Sequence, residues 1–226
     1  MMAKVSRRHR QETKRMVKRV IFVRPGETEW NRLGRWQGWV AVPLSEHGRR
    51  QAQQLALYVR NIGMSALYSS DLRRAVDTAE ILSEQLGFAP VYDSRLRERN
   101  IGAWQGLTLD EIRAWYPDDY ARLLNAPDTF KIPGGESRLQ VRERAVQAFN
   151  GILAQNPGET IGIISHTTAI HALLNELIPD CHANEIAVSN MSVTTIAHDS
   201  RWRLIATDDT AHLEGLETGR YPELEG

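Results

Sequence analysis

The sequence has little cysteine, no long apolar run and no excess of charge of either sign. Cys181 is the only cysteine, which excludes an internal disulfide framework and a cysteine-rich zinc site. No stretch approaches the roughly 18 consecutive apolar residues that span a bilayer, and no apolar run follows the basic start as in a secretory signal. We therefore expect neither a membrane-spanning nor a secreted protein, and we predict a cytoplasmic location.

The charges of the sequence balance in number but are separated along the chain. There are 28 Lys and Arg residues against 28 Asp and Glu residues. We predict a basic, disordered leader over residues 1–17, a single folded domain over 18–207 and an acidic C-terminal tail over 208–226. Clustered cations can bind polyanions, but the leader lacks the interleaved aromatic residues of a nucleic-acid-binding arm, so nucleic acid is not an expected partner.

Short apolar runs rich in β-branched residues predict the strands. They cover residues 19–24, 66–69 and 160–164, with a short extended piece near Val91. Residues 193–198 and 202–206, separated by Asp199-Ser200-Arg201, predict a closing hairpin. Runs that are apolar on both faces are typical of strands buried in a parallel sheet.

Segments of helical periodicity follow these runs. Pro43-Leu44-Ser45 precedes one helix, Ser70-Asp71 are predicted N-cap residues of a second that ends at Gly87, and residues 169–177 predict another. Two capping-box patterns, at Thr108 and at Ser137, predict helices over about 109–115 and about 137–154. The alternation indicates an α/β fold with three layers, α/β/α, around a mostly parallel sheet with an antiparallel edge.

Polar side chains follow three of the predicted strands at their carboxyl ends. These residues are Arg24 after the first, Ser69, Ser70 and Arg74 after the second, and Ser165 and His166 after the third. Ligands of open parallel sheets bind outside the carboxyl ends of the strands. Two guanidinium groups and an imidazole at one edge predict an anion pocket. Taken singly, Arg74 also fits a solvated helix residue, and His166 fits a polar residue leaving the core.

An ordered set of motifs resembles the histidine phosphatase (phosphoglycerate mutase-like) superfamily. In chain order, the blocks are Val23 to Asn31, Trp36-Gln37-Gly38, Pro43-Leu44-Ser45, Ser69 to Ala79, Leu96 to Trp104, Pro133 to Ser137 and Ser165-His166. Arg24-Pro25-Gly26-Glu27-Thr28 is similar to the family's Arg-His-Gly-Glu-Thr signature, with Pro25 in place of the nucleophilic histidine. The resemblance covers about residues 18–206 and implies a phosphoglycerate mutase-like fold.

The resemblance also implies roles for individual residues. In the family's mechanism a histidine attacks phosphorus, forms phosphohistidine and is regenerated by water. By resemblance, Arg24 and Arg74 clamp the phosphate, His166 is the second histidine and Glu98 donates a proton to the leaving oxygen. Three further residues would line the phosphate pocket: Asn31, Gln37 and Gly38. No metal or other cofactor is implied. Without the motif, Glu98 also fits a surface carboxylate that pairs with Arg97 or Arg99.

Pro25 motivates the first of three functional hypotheses, all of which stay open. Proline carries no side-chain lone pair that could attack phosphorus, so the family's covalent step cannot occur at this position. The first hypothesis is therefore a catalytically silent relative that binds a phosphorylated metabolite, inorganic phosphate or a protein partner. The second is an active phosphomonoesterase whose histidine is replaced in this copy, and the third is a partner-binding protein that acts through its basic leader. Residues 98–104 resemble the phosphatase branch, which favours small phosphate monoesters over mutase chemistry.

Overall fold

A computed structural model describes residues 16–155 and 157–216 and contains a mixed sheet. Its six strands are β1 (Arg19–Val23), β2 (Ala66–Ser69), β3 (Val91–Tyr92), β4 (Thr160–Ile164), β5 (Val193–His198) and β6 (Trp202–Asp209). They lie in the order β3-β2-β4-β1-β5-β6. Strands β3, β2, β4 and β1 are parallel, whereas β5 and β6 are antiparallel and form one edge. The predicted parallel sheet with an antiparallel edge is confirmed.

Helices cover both faces of the sheet. The described residues contain α1 (Glu29–Arg32), α2 (Glu46–Val59), α3 (Arg73–Leu86), α4 (Leu109–Trp115), α5 (Pro117–Asn125), α6 (Arg138–Gln155) and α7 (Thr167–Leu177). Helices α2 and α3 pack on one face, and α6 and α7 pack on the other. This arrangement is the predicted three-layer α/β/α fold.

The central strand β1 shows why its sequence is apolar at successive positions. Val20 and Phe22 point into the core under α6 and α7, whereas Ile21 and Val23 point into the core under α2 and α3. All four side chains are at most 1% exposed. Successive side chains of a strand point to opposite faces, so a strand covered on both sides needs apolar residues at every position. The same alternation continues in its neighbour β4.

One helix start differs from its prediction. Helix α3 begins at Arg73 after the N-cap Leu72, so the prediction that Ser70 and Asp71 cap this helix is wrong. The reason is that both side chains have other partners: Ser70 lies against His166 and Asp71 pairs with Arg97. Both capping boxes are confirmed, with reciprocal bonds between Thr108 and Glu111 and between Ser137 and Gln140.

A third apolar cluster lies in the segment between β3 and α6. Trp104 is its centre and is fully buried, together with Ile101, Ile112 and Leu123. Helix α5, which the sequence analysis did not predict, contributes Leu123 to this cluster. The cluster supports the loop that carries Glu98, because Ile101 and Trp104 follow Glu98 closely in the chain.

The packed chain continues beyond residue 207. Strand β6 ends at Asp209, and Leu213 is 1% exposed in the core beside α2. Most of the predicted leader, residues 1–15, and the last ten residues of the predicted tail lie outside the described residues. Within the part of the chain that is described, no helix is both long and apolar enough to cross a membrane.

Candidate functional site

The carboxyl ends of the three central parallel strands are tied to one another. The amide of Ser165 donates to the carbonyl of Val23 at 3.0 Å, and the amide of Ser70 donates to the carbonyl of Ile164 at 2.9 Å. The residues that follow β1, β2 and β4 therefore leave the sheet side by side. This is the edge at which the sequence analysis predicts an anion pocket.

Arg74 extends from the first turn of α3 into the protein and is 5% exposed. Its Nη2 donates to the carbonyl of Gly38 at 3.0 Å, whereas Nη1 is buried without a hydrogen-bond partner among the described residues. Burial lowers the pKa of Arg74 to about 10; the negative charge of Glu98 raises this pKa, and the positive charge of Arg24 lowers it. The charge of Arg74 is therefore buried, and one of its N–H groups has no acceptor among the described residues. The alternative that Arg74 is a solvated helix residue is excluded.

Arg24 follows β1 directly and is partly buried. Its Nη1 donates to the carbonyl of Val188 at 2.5 Å, and its main-chain carbonyl accepts from the amide of Met191 at 3.1 Å. The charge of Arg24 acts on both Arg74 and His166. The guanidinium groups of Arg24 and Arg74 are therefore close enough for their charges to interact with each other and with His166.

His166 is the N-cap residue of α7 and is 3% exposed. Its Nε2 lies 2.9 Å from Oγ of Ser70. The pKa of His166 is well below its ordinary value, first because the ring is buried and then because the cations Arg74, Arg24 and Arg144 lie nearby. The imidazole is therefore neutral at pH 7 and carries a single N–H.

Glu98 contacts the start of α7 and is close enough to Arg74 for its charge to raise the pKa of Arg74. Its Oε1 accepts from the main-chain amide of Arg99 at 2.7 Å, and its Oε2 accepts from the amide of Thr168 at 3.4 Å. The alternative pairing of Glu98 with a neighbouring arginine side chain is not present. Arg97 forms a bidentate ion pair with Asp71, with both distances at 2.6 Å, and the guanidinium of Arg99 donates to two main-chain carbonyls.

The remaining predicted pocket residues differ in their contacts. Gly38 accepts from Arg74, has a φ of +52° and leaves no room for a Cβ, which would lie 2.6 Å from Cγ1 of Ile101. The buried Oε1 of Gln37 has no hydrogen-bond partner in the described part of the chain. Asn31 uses its Oδ1 to accept from Thr28 in the capping box of α1. Whether these residues bind phosphate stays a prediction.

Pro25 is buried at the start of the loop after Arg24. Its carbonyl accepts from Nδ2 of Asn190 at 2.9 Å, which ties this loop to the segment before β5. Proline offers neither a main-chain N–H nor a side-chain nucleophile to this region. The residues that follow Pro25 are held as well, because the amide of Glu27 donates to Oε1 of Gln51 at 3.0 Å.

Sequence reasoning missed the residues that support Glu98. Nη2 of Arg144 donates to the main-chain carbonyl of Glu98 at 2.8 Å, and Nε1 of Trp39 donates to the same carbonyl at 2.6 Å. Arg144 also forms an ion pair with Glu136 at 2.9 Å. No local signal predicts these contacts, because the partners are 46 to 59 residues apart and one of them is a main-chain atom.

The chain belongs to the histidine phosphatase superfamily (branch 1), whose pattern matches residues 20–210. Among curated relatives, a probable phosphoglycerate mutase GpmB from Yersinia pestis is 33% identical over 203 residues, which cover 86% of this chain and 94% of that protein. The family assignment therefore extends over nearly all of the described fold.

Solved structures of the same fold include phosphatases. A mycobacterial glucosyl-3-phosphoglycerate phosphatase in complex with VO3 is 36% identical, with a TM-score of 0.76 over 85% of this chain and 99% of that chain. The same phosphatase has been solved with inorganic phosphate. A phosphoserine phosphatase variant from Entamoeba histolytica, with one histidine replaced by alanine and phosphoserine bound, is 26% identical, with a TM-score of 0.76 over 86% and 98% of the two chains.

Proposed function

We propose that this protein binds a phosphate monoester or inorganic phosphate between Arg24, Arg74 and His166 and that Pro25 prevents turnover by the phosphohistidine route. The observation that carries the proposal is the buried Nη1 of Arg74, which has no hydrogen-bond partner among the described residues. A buried, unpaired guanidinium N–H is costly unless a ligand accepts from it. A phosphate oxygen is an acceptor of the required charge and shape.

The charges around this donor support a dianion as the ligand. The charge of Arg24 lowers the pKa of Arg74, and both arginines lower the pKa of His166, so the two positive charges repel one another at this site. A bound phosphate would neutralise this repulsion, and arginine forks match phosphate oxygens in a bidentate geometry. The neutral ring of His166 adds a directional donor without adding a third positive charge.

The proposed loss of catalysis follows from Pro25. In the family's mechanism the nucleophile is an imidazole, and Pro25 provides no atom that can form a bond to phosphorus. Loss of an essential covalent nucleophile commonly lowers the rate by several orders of magnitude, although the remaining binding groups can retain some catalysis. Arg24, Arg74, His166 and Glu98 would then form a binding site rather than an active one.

Relatives support the kind of ligand that we propose. The mycobacterial phosphatase is described in complexes with VO3 and with inorganic phosphate, and the Entamoeba histolytica variant binds phosphoserine although one of its histidines is replaced. By analogy, we propose a small phosphate monoester as the ligand of this chain. A cytoplasmic location and a protein partner stay predictions from the sequence.

Calorimetric titration of the protein with inorganic phosphate and with orthovanadate tests the proposed binding. We expect one site per chain, and we expect Arg74→Gln to weaken binding by at least about tenfold because a charged hydrogen bond is lost. The matched control is Arg50→Gln on α2, where the exposed Arg50 pairs only with the exposed Glu46. Equal affinity of the wild type and Arg74→Gln would exclude the site.

A further inference from the structure

Ser70 and His166 form a buried pair at the proposed site. The two atoms Oγ of Ser70 and Nε2 of His166 are 2.9 Å apart. Ser70 has no exposed surface, and His166 is 3% exposed. Water therefore does not compete for this contact, and both partners must satisfy their hydrogen-bonding groups within the protein or with a ligand.

The hydrogen bonds of Ser70 define the direction of this contact. Its Oγ accepts from the amide of Leu72 at 3.3 Å. A hydroxyl has one proton to donate, and Nε2 of His166 is the only acceptor within reach of Oγ among the described residues. If Nε2 carried the ring proton, the hydroxyl proton of Ser70 would be buried without an acceptor, which costs about 1–3 kcal/mol. Ser70 therefore donates, and Nε2 accepts.

The other ring nitrogen is then the donor. The ring of His166 is neutral because burial and the charges of Arg74, Arg24 and Arg144 lower its pKa. A neutral imidazole carries one proton, so accepting at Nε2 places that proton on Nδ1. No residue in the described ranges forms a hydrogen bond to Nδ1. Nδ1 is therefore the nitrogen that can donate to a bound anion.

We propose that Ser70 is a positioning residue that holds His166 in the tautomer with Nδ1–H directed to the phosphate. The inference deepens the proposed function, on which its ligand rests. With the opposite tautomer, a nitrogen lone pair would meet a phosphate oxygen, and the two would repel one another. Ser70 thus determines whether His166 attracts or repels the anion, although Ser70 itself does not touch it.

Nitrogen-15 NMR of the histidine-labelled, ligand-free protein tests the tautomer directly, because protonated and bare ring nitrogens resonate far apart. At pH 7.5 we expect the proton of His166 on Nδ1 in the wild type and a shift of the proton toward Nε2 in Ser70→Ala. Ser70→Thr, which retains the hydroxyl, should restore the wild-type tautomer. The matched control is Ser69→Ala. The hydroxyl of Ser69 donates to main-chain carbonyls and not to His166, so we expect this substitution to leave the tautomer of His166 unchanged. A proton on Nε2 in the wild type, or no shift in Ser70→Ala, would overturn the proposal.

Phosphate binding by two His166 variants gives a second test that does not depend on the folding of Ser70→Ala. The amide of Asn places its NH2 near the position of Nδ1, whereas the amide of Gln places it near Nε2. We expect His166→Asn to stay within about threefold of the wild-type affinity and His166→Gln to lose about tenfold or more. The reverse ranking would contradict the proposal. A wild type that binds no phosphate would instead exclude the proposed function, and the NMR result would still decide the tautomer.

Discussion

The guanidinium of Arg144 donates a 2.8 Å hydrogen bond to the main-chain carbonyl of Glu98. The same side chain donates to the carbonyls of Arg95 and Arg97 and forms an ion pair with Glu136, whose carboxylate in turn accepts from the amide of Asn100. One arginine of α6 therefore holds most of the segment that presents the proposed proton donor. Replacing Arg144 removes a partner from three carbonyls at once.

Arg144→Ala should destabilise the protein by about 3 kcal/mol, because it leaves the Glu136 charge without its cation and the carbonyls of Arg95 and Arg97 without this donor. Urea unfolding measures the change. The matched control is Arg142→Ala on the same helix, whose exposed pair with Glu176 should contribute less than about 1 kcal/mol. Similar losses in the two variants would show that Arg144 does not hold the segment in the way described.

Acidification should destabilise the protein through His166. Its pKa in the folded state lies well below the ordinary value of 6.5, which the unfolded chain retains. Between these two pKa values the unfolded chain binds a proton that the folded protein does not. The contribution of His166 to stability is therefore complete above about pH 6.5 and decreases as the pH falls, by up to about 1.4 kcal/mol per pH unit.

Unfolding of the wild type and of His166→Gln between pH 8 and pH 5 measures this contribution. We expect the wild type to lose more stability than the variant below pH 6.5, and the difference between the two curves isolates His166. The pKa of His212 is also lowered, mainly by burial, but His212 contributes equally to both proteins. Curves that stay parallel throughout would contradict the assignment.

Helix α2 packs closely against the loop after Pro25. A Cβ on Gly48 would collide with the main-chain carbonyl of Glu27, and a Cβ on Gly26 would lie 2.7 Å from the carbonyl oxygen of Gly48. We expect Gly48→Ala to destabilise the protein by about 1–3 kcal/mol, because neither main-chain segment can move without disturbing the loop. Thermal unfolding measures this effect.

Gly151→Ala provides the matched control for Gly48→Ala. Gly151 lies within α6, where a Cβ would meet Nη2 of Arg95 at an ordinary 3.6 Å. This substitution should stabilise the protein by about 0.5–1 kcal/mol, because alanine favours the helix and restricts the unfolded chain. A neutral or stabilising Gly48→Ala would contradict the close packing of α2 against the loop.

The sequence predicts those elements of the fold whose cause lies in neighbouring residues. The apolar run of β1 and the capping box at Thr108 are examples, because burial on both faces and reciprocal side-chain caps leave a direct pattern in the sequence. The start of α3 was misplaced because Ser70 and Asp71, which are good caps by type, have partners far away in the chain. Helix α5 was missed although Pro117, Asp118 and Asp119 are typical of a helix start.

The candidate site also contains residues with a local sequence signal and residues whose contacts depend on distant parts of the chain. Arg24, Arg74 and His166 are predicted together because each follows a strand of a parallel sheet, and in the structure the charges of both arginines act on His166. The contacts of Arg144 and Trp39 with the carbonyl of Glu98 could not be predicted, because a main-chain acceptor has no signature in the sequence. Residues that support a site through main-chain acceptors can be identified only once the tertiary structure is known.

Hydrolysis of p-nitrophenyl phosphate by the wild type and by Pro25→His tests most directly whether a complete phosphate site lacks only its nucleophile. We predict a wild type with little or no turnover and a variant that gains at least about 100-fold in rate while forming acid-labile phosphohistidine. Robust turnover by the wild type, with no gain and no phosphohistidine in Pro25→His, would contradict this account.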